Sequence, residues 1–157
     1  MVRYFFVVVV IALTACRAAP KAPRQSLPVQ LLPENAATPG TLTVRVLHIP
    51  SVEGVLYVEL YDQATYFEYE KVLNEQIVPV TDTTMSITLE HVPAGRYIIA
   101  GSHDPNDNHE LDTGAFGVPT EAYGFSRDAR GVFGPPDFAA GAFDFDGTSA
   151  VLELTLR

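Results

Sequence analysis

An all-β fold is what this sequence predicts: a two-sheet sandwich of seven strands carrying one long glycine- and aromatic-rich loop. Three observations point to it. From residue 41 onward, apolar and polar residues alternate with period two. Turn-forming residues separate the alternating runs. The 117 residues from 41 to 157 are enough for one domain with a single core, and too few for two.

Alternation matters because successive side chains of a strand point to opposite faces of the sheet, so a half-buried strand needs an apolar residue at every second position. Leu42, Val44 and Val46 share one face, opposite Thr41, Thr43 and Arg45. Leu56, Val58 and Leu60 alternate with Tyr57, Glu59 and Tyr61. Ile77 to Val80 is a continuous apolar-leaning run, expected to be a more fully buried strand. Met85, Ile87 and Leu89 alternate with Ser86, Thr88 and Glu90, and Tyr97 to Ser102 is a second continuous run. Phe143 and Phe145 flank Asp144, and Leu152, Leu154 and Leu156 alternate with Glu153 and Thr155. Between the runs lie Pro50-Ser51, Asp82-Thr83, Pro93-Ala94-Gly95 and Asp146-Gly147, all turn formers. Seven short strands in a domain of this size imply an immunoglobulin-like or transthyretin-like sandwich. One segment carries helical spacing: Asp62 is placed to cap a short run with Tyr66, Tyr69 and Leu73 on one side.

The first forty residues have a different character. Arg3 precedes the unbroken apolar run Tyr4 to Leu13, and the small residues Thr14 and Ala15 precede Cys16. That order describes a secretory signal, residues 1–15, and the apolar run is shorter than the ~18 residues of a membrane span. Leu13-Thr14-Ala15-Cys16 resembles the bacterial lipobox, which makes Cys16 the acylated first residue of the mature chain. A plain secretory signal with an incidental cysteine is the alternative. Cys16 is the only cysteine, so the chain has no internal disulfide and no thiolate cluster. Residues 16–40 hold five of the twelve prolines and read as an extended tether. The expected location is therefore the bacterial cell envelope. Arg17 follows the cysteine where an Asp is the usual inner-membrane retention signal, which favours the outer membrane.

Charge divides at the same boundary. Residues 1–40 contain four basic groups and one acidic, whereas residues 41–157 contain six basic and eighteen acidic. So acidic a domain is repelled by nucleic acid, which is excluded as a partner, and it suits cations.

Chemistry concentrates in His103 to Phe138. Asp104, Asn106, Asn108 and Asp112 fall at relative positions 1, 3, 5 and 9 of a loop, the spacing at which alternate side chains converge on a hard cation. The Glu110 carbonyl stands at position 7. Position 6 is His109 instead of glycine and position 12 is Ala115 instead of glutamate, so Glu121 is expected to complete a calcium shell. An Asx-rich turn without any metal is the competing interpretation, because these side chains readily bond nearby backbone amides. A zinc site would rest on His103 and His109, since His48 and His91 lie elsewhere. Tyr123, Phe125 and Phe133 sit among glycines, where they either line a ligand surface or pack the loop down. Ser126 lacks the context of a nucleophile, and no catalytic residue is assigned.

The same stretch carries a family resemblance. His103, Asp104, Asn106, Asn108, Leu111 and Asp112, then Gly117, Pro119 and Glu121, then Tyr123-Gly124-Phe125-Ser126, then Phe133, Gly134, Pro136 and Phe138 resemble the motif of a bacterial envelope family, domain of unknown function 2141. Pro93, Gly95 and Tyr97 fit its turn into a strand. Pro105, Asp107, His109 and Glu110 depart from its pattern and add negative charge. The resemblance spans about residues 40–156 and implies a small secreted or lipid-anchored β domain, with no activity attached. The expected function is a non-enzymatic binding or structural module with a calcium-holding loop, recognising a protein or small molecule. Its rival is a carrier of a small apolar ligand, or an enzyme, using a pocket under residues 123–138.

Overall fold

The computed structural model describes residues 39–66, 71–114, 118–132 and 134–157. The apolar leader, Cys16 and the tether, and also Tyr69, Ala115 and Phe133, lie outside the described residues. No helix among the described residues is long and apolar enough to cross a membrane.

Among the described residues, eight strands form two sheets. They are β1 (Gly40–Leu47), β2 (Val55–Tyr61), β3 (Asn74–Pro79), β4 (Met85–Val92), β5 (Gly95–Asp104), β6 (Tyr123–Phe125), β7 (Phe143–Phe145) and β8 (Ser149–Thr155). The first sheet has the order β4-β1-β8, with β1 antiparallel to β4 and parallel to β8. The second runs β3-β2-β5-β6, with β7 paired to the start of β5. The seven predicted runs all appear as strands. The eighth, β6, arises inside the long glycine- and aromatic-rich loop.

The alternation places the core as expected. Leu42, Val44 and Val46 of β1, Ile87 and Leu89 of β4, and Leu154 and Leu156 bury against Leu56, Val58, Leu60, Tyr97 and Ile99 of the second sheet. Each such side chain stabilises the fold by about 1.5–3 kcal/mol through the apolar area removed from water. β8 packs closely on Gly101 and Gly124, which are partners in the β5–β6 ladder. A Cβ on Gly101 would lie 2.5 Å from Leu154 Cδ2, and one on Gly124 would lie 2.3 Å from the Thr155 carbonyl oxygen. Gly124 needs hydrogen in place of a side chain because its neighbour is backbone, whereas a side chain at Gly101 would displace the end of Leu154.

Two expectations change. Ile77 to Val80 is not a strand buried on both faces: β3 is the edge of its sheet, and Ile77 is 45% exposed. An apolar run alone cannot say which strand ends up with a free edge. The segment after Asp62 begins with a capped turn, in which Asp62 Oδ1 accepts the Ala64 and Thr65 amides and the Tyr66 amide donates to the Asp62 carbonyl. Leu73 lies in no helix and donates its amide to the Leu60 carbonyl, beside the start of β3.

Candidate functional site

The outward face of the second sheet is the unusual surface of this molecule. Because β2 alternates, burying Leu56, Val58 and Leu60 turns Tyr57, Glu59 and Tyr61 outward. The ladder sets Ala100 opposite Glu59 and Ser102 opposite Tyr57 on β5, then Phe125 and Tyr123 of β6 beside those two residues. Walls rise around this floor from residues within 104–113 and 118–121 and from Gly131, Val132, Gly134 and Pro135. Together they outline a cleft of about 630 Å³. That volume falls within the usual range of small-molecule sites.

One wall is the Asx-rich loop. Asp104 ends β5 with 2% exposure, its Oδ1 accepting the Asn108 amide at 3.3 Å and its Oδ2 the His109 amide at 2.9 Å. Asn106 Oδ1 also accepts the Asn108 amide, and Asn108 Oδ1 accepts the Glu110 amide. Asp112 takes Asn106 Nδ2 on one oxygen at 2.8 Å and Asn108 Nδ2 on the other at 3.1 Å. Amide donors engage Asp104 and Asp112 and tie the loop to itself. His109 at φ 63° and Asp107 at 56° both hold the left-handed conformation, which histidine and aspartate adopt more readily than most residues.

The predicted ligands are partly reassembled. Asp104, Asp107 and His109 bring one ligand atom each within 4.8 Å of one another, with His109 Nε2 3.7 Å from Asp107 Oδ1. Asp107 was not among the predicted ligands. His103 is not part of that group: it is buried, and its Nε2 lies 2.9 Å from the Glu53 carbonyl, which separates the two histidines of the zinc reading. Glu121 does reach the loop. Its Oε2 accepts the Asp112 amide at 3.2 Å, while its Oε1 is buried with no hydrogen-bond partner. Burial pushes this carboxyl above its usual range, and the nearby Asp104 and Asp112 carboxylates add to the rise. The Asp112 amide and His103 oppose it.

The second half of the motif proves to be mostly a brace. Ser126 is fully buried: its Oγ donates to the Gly141 carbonyl at 2.7 Å and accepts the Ile99 amide at 3.0 Å. It locks β5 to the single helical turn Phe138–Gly141, which explains the serine without nucleophilic chemistry. Tyr66 donates its hydroxyl to the Pro136 carbonyl at 2.7 Å, and its ring stands edge-on between Tyr61 and Phe138. Of the aromatics proposed as a ligand surface, Tyr123 and Phe125 line the cleft and meet edge-to-face at 6.2 Å. Phe133 lies outside the described residues.

The floor residues Tyr57, Glu59 and Tyr61 were read from sequence only as the outward side of a strand. Two tyrosines around a glutamate on an exposed face was the available signal. Tyr57 is hydrogen-bonded to His109 Nδ1, which joins floor to wall. Burial raises Glu59 above the ordinary glutamate range, with Glu75 adding to the rise and a Tyr61 hydrogen bond opposing it.

No curated protein and no solved structure matches the chain. A family model does match, over residues 44–153, which takes in both sheets, the Asx-rich loop and the brace. The chain belongs to that family, described as an uncharacterized protein conserved in bacteria (DUF2141).

Proposed function

We propose that this protein is a non-enzymatic binding module of the cell envelope, anchored through acylated Cys16, that takes a small ligand into the cleft on its second sheet. The observation that carries this reading is the cleft itself: about 630 Å³ floored by Tyr57, Tyr61, Tyr123 and Phe125 on paired strands. Rigid strands hold those rings in place before any ligand arrives, which lowers the ordering cost of binding. A binding role is also favoured over an enzymatic one because Ser126 and His103 are both buried and bonded to backbone groups. We infer further that the sandwich is transthyretin-like. Its β1 lies between β4 and β8, and β2 between β3 and β5, whereas an immunoglobulin sandwich sets its first strand beside its second.

The neutral fluorophore N-phenyl-1-naphthylamine tests the cleft. Its emission should rise saturably with the unacylated full chain (Cys16→Ala), and a further Ala100→Trp change should weaken binding at least tenfold by filling the floor. Equal affinity in both proteins refutes the cleft as the site. The anchor has its own test: Cys16→Ala should leave the membrane fraction, and retention of the processed chain there would sink it.

Glu121 favours a second reading, in which the Asx-rich loop holds calcium. A buried carboxylate oxygen without a partner is costly, and a cation bridging it to the loop would supply the missing partner. At a hundredfold excess over its Kd, calcium would stabilise the fold by ~2.7 kcal/mol, which raises the melting temperature by roughly 8–15 °C. Magnesium should do less, because it gives up its waters reluctantly. Glu121→Gln keeps an acceptor for the Asp112 amide and should abolish most of the calcium effect. Identical melts in calcium and in chelator would reduce the loop to a self-bonded turn.

A further inference from the structure

We propose that the ligand of this cleft is an organic cation, an alkylammonium or quaternary ammonium group carried on an apolar body. The inference rests on the cleft being a binding site and adds the chemistry of its occupant. Three features of the floor and walls point to it.

The first is charge. The described lining residues include four carboxylates, Glu59, Asp104, Glu110 and Glu121, and no lysine or arginine. His109 also lines the cleft, but its Nε2 lies 3.7 Å from the Asp107 carboxylate, so the charge facing a ligand is predominantly negative: an anion would be repelled and a cation attracted.

The second is the placing of Glu59. It stands mid-strand in β2, with Tyr57 and Tyr61 two residues away on the same face. Its ladder partners are Ala100 on β5 and Glu75 on β3. Alanine leaves open space beside the carboxylate, and Glu75 adds negative charge from the other flank. A neutral apolar ligand pressed onto this floor would strip water from Glu59 and return nothing. A cationic head set over Glu59 turns that desolvation into an ion pair.

The third is the aromatic surround. Tyr57, Tyr61, Tyr66, Tyr123 and Phe125 all line the cleft, and ring faces attract diffuse positive charge. A bare metal ion is a poor fit to the floor, since hard cations need several converging oxygens. An alkylated ammonium is a good fit: it is large and weakly hydrated, and it has apolar substituents to cover the rings.

The test is competition against N-phenyl-1-naphthylamine in the unacylated full chain, with excess chelator present so that the Asx-rich loop contributes no metal. Benzyltrimethylammonium should displace the fluorophore, and phenylacetate at the same concentration should not. Glu59→Gln should lower the affinity for the cation at least tenfold relative to the affinity for the fluorophore measured in the same protein. Displacement by phenylacetate as effective as by the cation overturns the proposal, and so does an unchanged cation affinity in Glu59→Gln. Fluorophore binding that the cation does not disturb removes the charge assignment and leaves the cleft reading standing. Failure of the fluorophore to bind at all removes both.

Discussion

The two sheets share one core but turn very different faces outward. On the first sheet the outward positions of β1 are Thr41, Thr43, Arg45 and Leu47, the middle two flanked by Thr88 and Ser86 of β4 and by Val151 and Glu153 of β8. Arg45 and Glu153 lie 3.3 Å apart, and both side chains are more than half exposed. This is an ordinary solvated surface, where an ion pair contributes little. On the second sheet the same geometric positions hold Tyr57, Glu59, Tyr61, Ile98, Ala100, Tyr123 and Phe125. Ile98 is fully buried there, because the helical turn at Gly141 packs on it. Both faces belong to one domain with one core, so the demands of folding alone do not account for the contrast. What differs is that loops are built over one face and none of the described loops covers the other.

Truncation is the bluntest way to break this comparison, and it should give the largest effect. Tyr61 is outward-facing yet only 3% exposed, with its ring against Tyr66. Tyr61→Ala should therefore cost about 3–5 kcal/mol, in the range of buried aromatic truncations. Arg45→Ala, the outward change on the other sheet, should stay within about 0.5 kcal/mol. Urea unfolding of both variants measures the gap. Equal losses would mean that the outer face of the second sheet is as solvated as that of the first.

Much of this arrangement was legible in the sequence, and the reason is local. A period-two pattern names the face a residue shares with its neighbours, so Leu56, Val58, Ile87 and Leu154 were placed in the core correctly. The Asp146-Gly147 turn was equally plain: Asp146 Oδ1 accepts the Thr148 amide at 2.9 Å, and Gly147 sits at φ 82°. What the pattern does not contain is order across the sheet. Nothing in Ile77 to Val80 says that β3 is an edge, and nothing in Tyr123-Gly124-Phe125 says that three residues will add a strand to β5. The site divides in the same way. Asp104, Asn106, Asn108 and Asp112 share one hydrogen-bonded loop, through amide donors that their spacing alone does not specify. Ser126 and Pro136 acquire their meaning only from partners fifteen and seventy residues away. Glu59 looked like any outward glutamate until β3, β5 and the loops enclosed it.

Glu59 also supplies the subtlest way to sharpen the comparison. Burial raises its carboxyl above the ordinary glutamate value, and Glu75 raises it further, against the Tyr61 hydrogen bond. The folded chain therefore holds this proton to a higher pH than the unfolded chain does. By linkage, ionised Glu59 weighs against folding at neutral pH, and that penalty disappears once both states are protonated, below the unfolded glutamate pKa of about 4.3. Glu59→Gln keeps the size and an acceptor for Tyr61 but never ionises, so it should melt higher than the parent at pH 7. The difference should shrink as pH falls through the raised pKa of Glu59 and vanish below the ordinary glutamate range. Other titrating carboxyls, Glu121 among them, are present in both proteins and largely cancel in the difference. Glu153→Gln on the first sheet serves as the control; it removes a charge whose partner Arg45 is solvent-exposed, and its effect should stay within about 0.5 kcal/mol at pH 7. Melting curves of the three proteins from pH 4 to pH 8 at fixed ionic strength decide the matter. A Glu59→Gln chain that melts below its parent at pH 7 would show that the carboxylate stabilises the fold. The outward face of the second sheet would then owe its glutamate to packing, with no ligand needed to explain it.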